Sequence, residues 1–185
     1  PDPAMAWLAA KGVPVHRATR VTQLMPAPEG WWVDGQPFDA VILACSASEA
    51  ARLCASVAPA WAQQALQLRY EPIITVYLQA AEARLPTPMT VLHADEAAPA
   101  QFVFDLGALG HVPGVFAFVI SGARSWVERG LQATAAATLK QALQAFPSGT
   151  WPQPPGVLHV AAEKRATFQC TPGLQRPAAV VTPNL

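Results

Sequence analysis

Four β-patterned runs, residues 70–80, 89–93, 101–106 and 115–121, follow one another on short Pro- and Gly-bearing loops with no helical run between them. Parallel strands need crossovers of roughly a dozen residues or more, so loops this short predict antiparallel neighbours. Residues 125–146 then predict a single long helix, with Val127, Leu131, Leu139, Ala142, Leu143 and Phe146 on its apolar side. Residues 147–155 break that helix, 157–168 alternate as a strand, and 173–183 read as loop.

Upstream of residue 69 the style differs. Asp2 and Pro3 start a helix that Gly12 stops. Short strands are expected at 13–16, 20–25 and 30–33, the last two joined by a turn over Pro26–Glu29. The unbroken apolar run in 39–44 predicts a strand buried on both faces, as in a parallel sheet. Ser46 caps the next helix, and Glu49 three residues on completes a capping-box pattern. The fold class is α+β: an antiparallel or mixed sheet covered by a long helix, plus a partial α/β domain. Boundaries fall at 1–69, 70–168 and 169–185, the last returning to the first domain.

Composition narrows the function. Charged residues make up 13% of the 185, against about 25% in an average soluble domain. Apolar surface is therefore expected to meet other parts of the same protein, or lipid or an apolar substrate. Twelve basic residues balance twelve acidic ones, which is poor material for nucleic-acid binding. Cys45, Cys54 and Cys170 lack metal or disulfide spacing and suit a reducing, cytoplasmic setting. Cys45 reads as a small buried filler, and the four histidines lack ligand spacing. No apolar run approaches the ~18 residues of a spanning helix, so membrane contact, if any, is peripheral.

Few side chains stand out for chemistry. In the strand 157–168, Lys164 shares a face with Leu158, Val160, Ala162, Ala166 and Phe168. Such a lysine is either at the strand's solvent end or desolvated in a pocket. Glu163 and Arg165 share the other face, where a surface ion pair is the plain reading. The end of the 39–44 run, at Cys45 and Ser46, is where a cofactor edge would sit in a parallel sheet.

Two strings, VPVHRATRVTQL and FDAVILACSASEAARL, resemble the middle of the flavin-containing amine oxidase and carotenoid desaturase superfamily. YEPIITVYLQ, AQFVFDLG and EKRATFQCTPGLQRP are similar to the hydroxysqualene dehydroxylases, the squalene-associated FAD-dependent desaturases. That resemblance implies FAD as cofactor, a hydrophobic isoprenoid substrate, and a bacterial hopanoid or squalene pathway. It implies that Val21 contacts the adenine side of FAD through its backbone and that Ala44 lies where the next strand passes the cofactor. Lys164 or Arg165 would orient the hydroxyl or the flavin, with Glu163 and Asp105 as guesses for a general acid. The glycine-rich segment and the segment closing over the flavin are both missing from these residues. The piece alone is therefore expected to bind FAD weakly or not at all, and its open sheet edges to favour self-association.

Overall fold

The computed structural model describes residues 2–147 and 149–185. The chain divides into two compact units, residues 1–68 with 173–185, and residues 69–172.

In the first unit, helix α1 (Asp2–Ala10) buries none of its residues. Residues 13–16 form no strand, because no described segment pairs with them. Strands β1 (Leu24–Pro26), β2 (Trp31–Val33) and β3 (Gln36–Phe38) make an antiparallel meander. Asp34 and Gly35, both at positive φ (45° and 80°), turn β2 into β3; a two-residue loop of this hand matches the strands' twist. The Asp34 carboxylate accepts the Thr22 and Gln23 N–H groups and the Thr22 hydroxyl, pinning the segment that leads into β1.

The expected buried strand at 39–44 does not form. No described strand pairs with it, and Ile42 is 92% exposed. Its apolar pattern marks side chains that want burial, but a strand also requires a neighbour for its peptide groups. The Val41 N–H instead donates to the Asn184 carbonyl at 2.9 Å.

Ser46 caps α2 (Ala47–Cys54) through the Glu49 N–H, so the first half of the capping box is present. The Glu49 carboxylate goes to Arg20 and Arg52. Helix α3 (Pro59–Leu66), unforeseen from the sequence, packs on α2 through Ala51, Cys54, Ala62 and Ala65. The return segment joins this core through Val181 and Leu185, and the Ala178 carbonyl accepts the Trp61 indole N–H at 2.8 Å.

The second unit holds the predicted antiparallel sheet. Strands β4 (Tyr70–Gln79), β5 (Met89–Val91), β6 (Phe102–Asp105), β7 (Val115–Ile120) and β8 (Gly156–Phe168) lie in the order β5-β6-β7-β4-β8. All neighbours are antiparallel. Pro72 is tolerated in central β4 because the ladder with β7 ends at Ile74 and Ile120. Beyond that point the Pro72 carbonyl accepts the Ala123 N–H.

One face of the sheet carries Ile74, Val76, Leu78, Val103, Phe116, Phe118 and Ile120 into a core closed by helices. The helical cover is two pieces, α4 (Arg124–Arg129) and α5 (Leu131–Ala145). Gly130, at φ 93° and ψ 152°, breaks what the apolar periodicity predicted as one helix. Ala142 and Phe146 are buried and Val127 and Leu139 pack against this core, as the periodicity predicts, but the inner face is more polar than expected. Thr134, Ala135, Thr138, Gln141 and Ala142 point inward, while Leu131 and Leu143 are exposed.

Polar residues can occupy that inner face because each is satisfied. Thr138 donates to the Thr134 carbonyl, and Thr134 to the carbonyls of Gly130 and Trp126. The Gln141 amide binds both backbone groups of Ala100 and the His93 carbonyl. Trp151 closes the end of this core edge-on to Phe116 and Phe146 and donates its indole N–H to the Ala142 carbonyl.

Candidate functional site

Val21 and Ala44, far apart in sequence, line one open cleft of about 420 Å³ in the first unit. Ile42, Leu43 and Leu53 supply its apolar lining, and Arg20, Glu49 and Arg52 its charges. Glu49 accepts from Arg20 at 2.9 Å and from Arg52 at 3.0 Å. The Arg52 hydrogen bond first, then Arg20, lowers its pKa. Arg52 also donates to the carbonyls of Val21 and Thr22, at 2.7 and 3.2 Å, fixing the backbone of the cleft. Cys45 lines this cleft and is exposed, contrary to its reading as a buried filler. Cys54 is the buried thiol, and desolvation raises its pKa.

The EKRATF string lies on β8 at an irregularity. Glu71 pairs with Thr167 and Ile73 with Glu163, so Lys164, Arg165 and Ala166 stand opposite Pro72 alone. Two extra residues on one strand make a bulge that bends the edge. The Glu163 carboxylate accepts the Arg165 backbone N–H at 2.8 Å, supplying a partner within the bulge.

Lys164 is exposed, and it lines a cleft of about 220 Å³ on the α4 side with Tyr70, Pro72, Arg124, Val127 and Glu128. Of the two alternatives for this lysine, the solvent-facing one describes its position. Beside the bulge, Glu71 accepts from Gln169 and from Arg124, and these two bonds lower its pKa in that order.

Asp105 is fully buried, and both its carboxylate oxygens are engaged. They accept the N–H groups of Leu85 and Ala108, tying together two loops. That is an anchoring role in the protein interior.

The resemblance implies that this sheet walls an apolar slot without saying by which face, and the face opposite the helices is the open one. Across it run two transverse rows read from the register. Met89, Phe104, Ala117, Tyr77 and His159 form one, and Val91, Phe102, Val119, Thr75 and Ala161 the other. Phe102, Phe104, Val119, Thr75 and Tyr77 are all half-buried, and Val91 is 68% exposed. The parity of residues along each strand carries this signal.

A model of the flavin-containing amine oxidoreductases matches residues 3–160. The chain belongs to that family. Its fold is similar to that of a crystallised oxidoreductase from Methanosarcina mazei, with a TM-score of 0.68 at 16% identity. The match covers 88% of this chain and 41% of that one, so the chain spans less than half the length of that relative. No curated protein matches it significantly.

Membership of the flavin-containing amine oxidoreductases agrees with FAD as the cofactor expected from the sequence. The cleft at Val21 and Ala44 suits part of such a group. Its apolar lining and fixed backbone fit a flat ring edge. No glycine lines it, and both arginines already serve Glu49, so it offers no backbone cradle for a diphosphate. Among the described residues no helix is long and apolar enough to cross a membrane.

Proposed function

We propose that this chain supplies the substrate-side sheet and one cofactor-flanking cleft of a longer FAD-dependent oxidoreductase that converts hydroxysqualene to squalene. The observation that carries this reading is the apolar sheet face left open by the helices. Strands lie about 4.8 Å apart, so the row from Met89 to Tyr77 extends roughly 14 Å. A floor of that size supports several isoprene units of a long hydrocarbon.

The three strings that resemble the hydroxysqualene dehydroxylases support the substrate choice by their positions. YEPIITVYLQ is β4, AQFVFDLG contains β6, and EKRATF ends β8, all in this one sheet. Reduced flavin, when bound, supplies the hydride that replaces the hydroxyl, which leaves with a proton as water. The sheet's part is to hold the chain extended and keep water from the carbon that loses its hydroxyl. Val21 and Ala44 flank the cofactor. Lys164 and Arg165 shape the bulge and are the residues proposed to orient the flavin or the hydroxyl. So apolar a substrate would be taken up by a cytoplasmic enzyme at a membrane surface.

The test is product analysis. Full-length protein, FAD and a reductant are incubated with hydroxysqualene, and squalene is expected by mass spectrometry. Recovery of unchanged substrate, or of a product with new double bonds, would overturn the assignment. Lys164→Ala and Arg165→Ala should lower turnover without changing the melting temperature; unchanged turnover removes both from the site.

A further inference from the structure

Tyr77 and His159 end the apolar row Met89, Phe104 and Ala117 on the open sheet face. They are direct cross-strand partners on β4 and β8, with ring centroids 6.1 Å apart and planes tilted by 31°. Among the described residues neither the Tyr77 hydroxyl nor a ring nitrogen of His159 hydrogen-bonds to protein. Tyr77 is half-buried and His159 exposed, so both polar ends remain accessible beside apolar surface.

Two other polar groups on this face differ. Thr75 lies in the neighbouring row between Val119 and Ala161, without a second polar group beside it. Glu163, farther along β8, has its carboxylate on the Arg165 N–H. At Tyr77 and His159 two cross-strand, protein-free hydrogen-bonding groups meet the end of an apolar floor.

We propose that Tyr77 and His159 together bind the hydroxyl of a long-chain terpenoid alcohol, one hydrocarbon arm of which lies along the row toward Met89. A phenol and an imidazole can each donate or accept, so the pair satisfies both the proton and a lone pair of one alcohol. A hydrocarbon of the same length would leave both groups without a ligand partner. The pair thereby selects alcohol over alkene, a discrimination that apolar walls alone achieve poorly. This deepens the reading above and rests on it for the identity of the alcohol.

The experiment is a binding comparison on the full-length, FAD-loaded protein in detergent, with hydroxysqualene and squalene as probes and flavin fluorescence as readout. The wild type should prefer the alcohol by about tenfold, the scale of one or two net hydrogen bonds. Tyr77→Phe and His159→Phe should each bring that ratio toward one with squalene affinity unchanged, and His159→Gln should restore part of it. A ratio unaltered in both phenylalanine variants, or squalene affinity falling in step with the alcohol's, would overturn the pair's role.

Turnover is measured in parallel. Selective binding without conversion, lost in the variants, would sustain the pair and remove the reaction. Conversion with the ratio unmoved would sustain the reaction and remove the pair. Binding of neither probe would overturn both.

Discussion

Gln141→Leu is expected to loosen the second unit out of proportion to the size of the change. Gln141 is 4% exposed on the inner side of α5, and its amide reaches three backbone groups. The Ala100 N–H donates to its oxygen at 2.8 Å, and its nitrogen donates to the carbonyls of Ala100 and His93 at 2.9 Å each. Leucine matches its bulk but serves none of them. The His93 side chain is largely exposed, and its carbonyl has a route to water. Ala100 is fully buried, so its N–H and C=O would both lose their partner without replacement. At about 1–3 kcal/mol for each stranded buried group, less what the added methyl groups return, the net loss is about 2–4 kcal/mol. With a urea slope of about 1–3 kcal/mol/M, the midpoint of this unit should fall by about 1–2 M. Hydrogen exchange followed by mass spectrometry across residues 93–105 isolates this unit from the other and should show faster exchange at Ala100. Gln141→Glu at neutral pH keeps the acceptor and loses both donors, so it too should be destabilised. A Gln141→Leu protein within about 0.5 kcal/mol of wild type, with unchanged exchange at Ala100, would refute the claim that this side chain holds the loop.

Other consequences are as direct. Asp34 has its pKa lowered, first by the Thr22 hydroxyl and then by the Gln23 N–H. Its contribution is therefore present above its ordinary value of 3.8 and disappears as pH falls through the depressed folded value. Asp34→Ala should lower the melting temperature at pH 7, and the difference from wild type should vanish in strong acid; a constant difference at all pH values would contradict this. Gly114 sits at φ 70°, and a Cβ there would lie 2.8 Å from the Ala80 carbonyl oxygen. Gly114→Ala should therefore cost about 1–3 kcal/mol, read as a lowered melting temperature, and a neutral result would refute the tight approach. The 185-residue chain alone should show no tight, stoichiometric binding when titrated with FAD, since its cleft lacks a diphosphate cradle. The same chain should self-associate through the uncharged sheet edge at β5, and a clean monomer in size-exclusion chromatography at high concentration would count against that.

What the sequence revealed depended on whether a signal was local. The strands of the main sheet were legible because short loops leave antiparallel pairing as the simple solution. Ser46 and Gly12 marked helix ends through local chemistry, and Ser46 caps α2 as expected. The 39–44 run failed because hydrophobicity reports a wish for burial, whereas a strand needs a specific neighbour. Helix α5 is legible with Leu139 and Ala142 on its core side, but Leu131 and Leu143 are exposed, and no count of apolar residues foresees the burial of Thr134, Thr138 and Gln141. Their burial rests on hydrogen bonds to backbone groups that a periodicity count does not see. Strand β3 has a local signal in Asp34-Gly35, a turn pair that joins it to β2. Val21 and Ala44 do meet on one cleft, although the resemblance that named them says nothing of Arg52, which ties its backbone together.

The EKRATF string owes its unusual look to a demand made by the sheet. Strand β8 is an edge, long and only partly covered, and such an edge invites pairing with another chain. A bulge at Lys164, Arg165 and Ala166 breaks the ladder there, and three consecutive charged residues discourage a new partner. Glu163 serves this arrangement twice, as one of those charges and as the acceptor for a displaced N–H. Part of the run's distinctiveness therefore belongs to the sheet edge it ends, beside the orienting role proposed for Lys164 and Arg165. The uncharged part of the same strand holds His159 beside Tyr77, on the face where an apolar ligand can lie. A single strand thus divides its tasks: the charged end guards the edge, and the plain stretch before it reaches the open face.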